Sequence, residues 1–345
     1  MKKFFMFAAM ASVALASCVK NEPVATPEQG DAITFDVPVV GVPTKVAELT
    51  GTDYPTDRPF HVYAYHTEAS TAYAGTGVKY MDAVAEYQSA DPVCYSPGNY
   101  YWPKTGDLSF FAYSPSSVSA TENAGTITFD YTVDTDPTKH VDLLYSDWAI
   151  DQTSGDNAED VGTYAYKGIQ LAFNHAMSVV KFNFKGTSAD VAANIQITSV
   201  LLQNVFTNGT LTCDYDADPK AAWDDQDVKG NFNLLKTTPY QLTAANSVID
   251  TDIYNLILLP QALPADAKLV VEYQIKNPLG GWIDQDAVEI LLNTAKVGDA
   301  ALQTWNMNTK YTYNVVFDLN KVYFAPTVVD YISDPVVPTI PNVVL

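Results

Sequence analysis

Apolar and polar positions alternate with period two over many short stretches of this chain. Ile33-Thr34-Phe35-Asp36-Val37, His61-Val62-Tyr63-Ala64-Tyr65, Leu108-Ser109-Phe110-Phe111-Ala112-Tyr113 and Thr126-Ile127-Thr128-Phe129-Asp130-Tyr131 each read as a half-buried strand. A second series opens at Ile169 and runs through Leu171–Phe173, Val179–Phe184, Ile195–Leu202, Thr210–Tyr215, Tyr254–Leu259, Lys268–Ile275 and Lys310–Leu319. Turn clusters such as Ser96-Pro97-Gly98 and Lys104-Thr105-Gly106 divide these segments, and Asn208-Gly209 predicts a tight hairpin. Only Val78–Tyr87 and Ala287–Ala295 carry a helix-like spacing. Short strands separated by turns at intervals of about ten residues predict an all-β protein built of sandwiches. We divide it into two tandem β-sandwich domains, residues 31–168 and 169–345, with the boundary near Gly168.

The first residues bear on the compartment. Lys2 and Lys3 precede an uncharged run from Phe4 to Leu15, too short for an ordinary membrane-spanning helix and suited to a secretory signal. The run ends in Leu15-Ala16-Ser17-Cys18, which resembles the lipobox of bacterial lipoproteins. That resemblance implies cleavage after residue 17 and lipid on the Cys18 thiol. Residues 18–30 then form a polar tether containing Pro23 and Pro27. Of the other two cysteines, Cys94 and Cys213 lie far apart in separate strand-like segments, and two unpaired buried thiols are expected.

Composition narrows the function. With 19 Lys and Arg against 40 Asp and Glu, the formal net charge is −21, which repels phosphate backbones and argues against nucleic acid as a partner. Hydrophobic residues make up 47% of the chain, enough for a sizeable core, and the 22 tyrosines favour pleated, half-buried surfaces. No Gly-rich phosphate loop, nucleophile elbow or zinc-protease motif is present, so neither an enzyme, a cofactor nor a metal centre is expected. His61 and His66 are spaced for opposite faces of a strand, and His140 lacks a Ser or Cys partner at motif spacing. Asp214, Asp216 and Asp218 resemble the start of a calcium loop, but Pro219 replaces the required glycine.

Longer stretches resemble one family. Tyr100-Tyr101-Trp102-Pro103-Lys104-Thr105-Gly106-Asp107-Leu108-Ser109-Phe110-Phe111-Ala112-Tyr113-Ser114-Pro115 is similar to a hallmark of the fimbrillin-like proteins of Bacteroides-type bacteria. Leu171–Ser178 followed by Val180-Lys181-Phe182 resembles a second hallmark, which opens the C-terminal domain there. Leu259-Pro260-Gln261, and Trp305 ahead of Tyr311-Thr312-Tyr313, resemble the closing part.

The resemblance implies a type V pilus subunit made of two transthyretin-like β-sandwiches, secreted as an outer-membrane lipoprotein and exposed at the cell surface. It further implies that a protease removes the first strand with its lipid, and that a strand from another copy or another pilus subunit fills the groove. Ile33, Phe35 and Val37 would then be the displaced strand. Lys45 would be the processing site, standing where family members commonly carry Arg. The sole arginine, Arg58, precedes Pro59, which blocks trypsin-like cleavage. The apolar C-terminal tail would be the donor, through Val336, Ile340, Val343 and Leu345. A long donor tail fits a stalk subunit. The alternatives are a tip or anchor subunit, and a surface glycan-binding lipoprotein in which Trp102, Trp148, Trp223 or Trp282 would stack on sugars.

Overall fold

The computed structural model describes residues 31–36, 38–40, 54–69, 71–89, 94–123, 125–154, 168–242, 253–297, 299–319 and 321–330. Its main strands, in chain order, are β1 (Val39–Val40), β2 (Phe60–Thr67), β3 (Val78–Gln88), β4 (Cys94–Ser96), β5 (Asp107–Ser114), β6 (Thr126–Thr132) and β7 (Leu144–Ser146). They are followed by β8 (Ala172–His175), β9 (Ser178–Gly186), β10 (Ile195–Phe206), β11 (Asn208–Asp214), β12 (Lys268–Lys276), β13 (Thr309–Asp318) and β14 (Lys321–Asp330). The one α-helix among the described residues, Ala189–Ala193, is a single short turn capped by Ser188. The protein is all-β, formed of packed sheets as in a sandwich. None of the described helices is long and apolar enough to cross a membrane.

An eight-stranded sheet runs in the order β1-β8-β7-β5-β2-β3-β4, with Ala149–Gln152 also paired to β5. Both faces of its centre are buried. Phe60, Val62 and Ala64 of β2 and Leu108, Phe110 and Ala112 of β5 enter one core. Tyr63, Tyr65, Phe111 and Tyr113, from the alternate positions, enter a second and larger core. This two-sided burial is why β5 reads as a nearly continuous apolar run instead of a clean alternation.

The larger core is shared with three further sheets. One has the order Leu256–Leu258, β9, β13, β14, with β9 and β13 parallel. Phe182, Tyr313 and Phe324 stack across three of its strands at centroid separations of 5.1 Å, and Trp305 Nε1 donates to the buried Tyr313 hydroxyl at 2.9 Å. Another carries β10 and β12 side by side. The last joins the two halves of the sequence: β6 pairs with β11 over seven residues, from Thr132 opposite Asn208 to Thr126 opposite Asp214. Strand β14 continues ten residues past the β13 turn, so pairing extends beyond the end expected at Leu319. Its Pro326 stands opposite Tyr313, a residue type tolerated on an edge strand.

Three local expectations are corrected. Val78–Tyr87 is a strand, because Met81 and Ala85 point to one side of β3 with half-buried Ala83 between them, while Val78 and Val84 are exposed and blur the alternation. Ala287–Ala295 holds the strand Val288–Leu291 and only a single 3-10 turn. Asn208-Gly209 is no hairpin turn: it begins β11, which leaves the sheet of β10 for that of β6. Asn208 Oδ1 instead accepts the Val228 N–H at 2.7 Å, and a Cβ on Gly209 would lie 3.2 Å from the Asp224 carbonyl. Glycine there permits a close approach, not a reversal. Cys94 and Cys213 are unpaired and buried, as expected.

The β6–β11 ladder and the shared core predict that the halves stay together after a backbone cut. Cleavage between residues 154 and 168 is expected to leave a single species in native size-exclusion chromatography. The same sample should resolve into two fragments only under denaturing electrophoresis.

Candidate functional site

The first described residues bridge β4, at one end of the eight-stranded sheet, to Ile169, in the stretch that leads into β8. On one side Ile33 N–H donates to the Tyr100 carbonyl at 2.9 Å, and Phe35 and Tyr95 exchange a pair of hydrogen bonds at 2.9 and 2.8 Å. Trp102 N–H donates to the Asp31 carbonyl at 2.9 Å. On the other side Ile169 N–H donates to the Thr34 carbonyl at 2.9 Å and Asp36 N–H to the Ile169 carbonyl at 3.1 Å. The pairing is antiparallel toward Tyr95 and parallel toward Ile169, and it continues as β1 beside Ala172 and Phe173 of β8. Odd and even positions thus serve opposite neighbours, as in a central strand.

The side chains alternate in the same way. Ile33 and Phe35 are 0% exposed, sealing the smaller core. The Phe35 ring meets Phe60 at 5.7 Å and Phe110 at 5.4 Å, both nearly perpendicular, a favourable edge-to-face geometry. Behind them Tyr54 stacks on Phe173 at 5.2 Å and Phe60 lies 5.0 Å from Tyr95. Tyr54 Oη shares a 2.6 Å hydrogen bond with Ser114 Oγ, and Tyr95 Oη donates to the Pro55 carbonyl at 2.9 Å. Burial pushes the pKa of both phenols above the usual tyrosine value, so they stay neutral. The site therefore offers ladder hydrogen bonds and apolar pockets. Its chemistry is that of holding an extended chain.

Gly168 makes the close passage possible. Its φ is +146°, and a Cβ there would sit 2.5 Å from the Phe35 carbonyl carbon and 2.7 Å from the Asp36 nitrogen. No side chain fits that gap, so the glycine marks where the segment is clamped against Ile169.

Of the residues singled out in the sequence, Ile33 and Phe35 form this site together. Val37, Cys18, Lys45, Val336, Ile340, Val343 and Leu345 lie outside the described residues. The aromatic pocket and Gly168 were missed. Its five rings come from separate stretches, and Gly168 reads in sequence only as punctuation. Three of the four candidate sugar-stacking tryptophans are engaged elsewhere: Trp102 is buried against Phe110, Trp148 packs on Tyr73 and Phe111, and Trp223 Nε1 donates to the Ala176 carbonyl at 2.7 Å. Trp282 lies beneath Lys276, 5.9 Å from its ammonium. His175 is structural, its Nδ1 held 2.8 Å from Asp142. Asp214 accepts from Asp216 N–H within its own turn and from Thr126 Oγ1 across the ladder to β6.

The all-β fold of packed sheets is shared with solved proteins of Bacteroides species. A fimbrial protein from Bacteroides vulgatus ATCC 8482 has a TM-score of 0.55 at 16% identity, covering 86% of this chain and 99% of that one. A candidate cell adhesion protein from Bacteroides uniformis ATCC 8492 gives 0.53 at 17% identity over 87% and 98%. Another from Bacteroides ovatus ATCC 8483 gives 0.51 at 15% identity over 89% and 99%. At these identities the likeness is one of fold. The fimbrillin-like family profile matches residues 44–330, and the chain belongs to that family. No curated protein matches the sequence.

Truncating the anchor ring should be costly. Phe35→Ala is expected to lower the unfolding free energy by about 3–5 kcal/mol, the usual cost of removing a buried phenyl ring. Gly168→Ala should cost roughly 2 kcal/mol or more through strain at positive φ and collision with the Phe35 backbone. Denaturant unfolding of the full chain, with and without each substitution, measures both.

Proposed function

We propose that this fimbrillin-like protein is a structural and adhesive subunit of a surface pilus, joined to its neighbours by exchange of the strand that residues 31–40 now supply. The observation that carries the reading is the double ladder of Asp31–Asp36 between Tyr95 and Ile169, with Ile33 and Phe35 fully buried. Removing it would leave two rows of unpaired backbone groups around an apolar trench, and an extended segment from another subunit would repair both. Burying two such side chains is worth about 3–6 kcal/mol, at roughly 1.5–3 each, before any ladder bond is counted. While the chain is intact its own strand holds the groove at very high effective concentration, which keeps the subunit from assembling early.

The finer parts follow from the sequence. Cys18 carries lipid and anchors the precursor to the outer membrane. Cleavage at Lys45, in the stretch after the buried segment, frees the strand. The tail, with Val336, Ile340, Val343 and Leu345, is donated to a neighbour, which places the subunit in the stalk. The two halves of the chain are two sandwiches meeting near Gly168, locked by the β6–β11 ladder.

The test compares the full-length protein, Lys45→Ala and a chain ending before Val336, each treated with a Lys-specific protease and sized by chromatography and electron microscopy. Fibres are expected from the unaltered chain and not from Lys45→Ala. The tail-deleted chain should accept a strand but donate none, and so terminate growth. Equal polymerisation without the tail would rule it out as donor, and cleavage at Lys45 with no change in size would remove the assembly mechanism. Separately, Cys18→Ala is expected to shift the protein out of the detergent-soluble membrane fraction. Unchanged fractionation would discard the lipid anchor.

A further inference from the structure

We infer that His140 is a pH-sensitive latch: its neutral imidazole caps the edge strand Leu256–Leu258, and protonation releases that edge. The inference is independent of the strand-exchange reading. Leu256–Leu258 stands at one end of its sheet, paired with β9. Beyond that pairing, Ile257 N–H donates to His140 Nδ1 at 3.1 Å. The other ring nitrogen, Nε2, lies 2.9 Å from the Asp134 carbonyl, which can only accept. These two contacts fix one tautomer, with the proton on Nε2 and the lone pair of Nδ1 aimed at Ile257. Phe232 meets the ring edge-on, with centroids 5.4 Å apart. The loop that delivers the ring is braced by its own bonds: Asp136 N–H donates to Asp134 Oδ1 at 2.8 Å, and Thr138 N–H to Asp136 Oδ1 at 3.0 Å. A loop of the first half thus covers a sheet edge of the second, and the cover depends on a single acceptor atom.

Protonation would put a second N–H on the ring, at Nδ1. Two donors would then face each other across the 3.1 Å contact, and the bond to Ile257 is lost, not merely weakened. The charged groups around the ring are Asp134, Asp136 and Lys139 on its own loop, with the Lys139 ammonium 3.7 and 3.8 Å from the two carboxylates. Asp57, Arg58 and Asp142 line the same cleft, of about 500 Å³, and Asp142 is held 2.8 Å from His175 Nδ1. The facing residues Leu256–Leu258 and Phe232 carry no charge. Burial outweighs the bond to the Asp134 carbonyl and the pull of Asp134 and Asp136, and holds the imidazole below its ordinary value of 6.5. In the open form the ring is hydrated and regains that value. Closure is therefore at full strength above about pH 6.5 and weakens as the pH falls through it. The cleft lets water reach the ring while the β6–β11 ladder keeps the two halves joined.

The test follows the Ile257 amide of the full chain by hydrogen exchange in NMR between pH 7 and 5.5, with rates corrected for the intrinsic pH dependence of exchange. Its protection is expected to fall about threefold or more over that range, while amides of the β6–β11 ladder keep theirs. His140→Gln retains one donor and one acceptor but does not titrate there, so its Ile257 protection should stay flat. His61, His66 and His175 remain in that variant, and the difference between the two proteins isolates His140. Equal pH dependence in both would overturn the latch. A second measurement needs no variant that might fail to fold: imidazole nitrogen shifts of the ¹⁵N-histidine-labelled chain. They should show His140 at pH 7 as the Nε2–H tautomer, still neutral when the pH drops below 6.5. The opposite tautomer, or protonation at or above 6.5 with Ile257 protection unchanged, would contradict the proposal.

Discussion

A strand's backbone groups must be paired on both sides wherever water is excluded, and in this protein that requirement falls on six residues. Asp31–Asp36 lie between Tyr95 and Ile169 and complete the hydrogen bonding of both neighbours. Without them the backbone of β4 at Tyr95 and that of Ile169 would both be left unpaired along one trench. The smaller core owes its closure to this double pairing, since Ile33 and Phe35 are its lid as much as its content. The bare backbone of Gly168 is the condition for it, because the chains pass too close for any side chain.

The rest of the body is arranged so that this lid can be local. Strands β2 and β5 separate two cores, with Phe60, Val62 and Phe110 on one side and Tyr63, Phe111 and Tyr113 on the other. The larger core draws on both halves of the sequence and is tied by the β6–β11 ladder and the Phe182–Tyr313–Phe324 stack. These contacts lie on the side of the sheet away from Ile33 and Phe35. Such a division is what a subunit needs if one strand is to be replaceable while the body keeps its shape.

Much of this was legible in the alternation of residues. The strands at Phe60–Thr67, Asp107–Ser114, Ser178–Gly186 and Lys268–Lys276 fall where period two placed them, because each has one or both faces in a core. Val78–Gln88 misled because it lies toward the rim of its sheet, where exposed Val78 and Val84 carry no inward signal. Asn208-Gly209 misled because the same residues serve a turn or a close approach, and only the neighbour, here the loop at Asp224–Val228, decides which. Ile33 and Phe35 could be named from sequence, but the pocket that receives them could not. Tyr54, Phe60, Tyr95, Phe110 and Phe173 come together only through the order of strands, and strand order is not written in any single stretch.

The bridge between Phe35 and Ile169 spans 134 positions (169 − 35), and this has a consequence in time. As the chain leaves the ribosome, Asp31–Asp36 emerge ahead of everything they will pair with. Tyr95 follows well before Ile169, so the segment can find one neighbour while the other does not yet exist. Closing so long a loop adds only a slowly growing entropic cost, but it must wait for its far end. The double pairing therefore closes late, once Ile169 and the strand that follows it are in place.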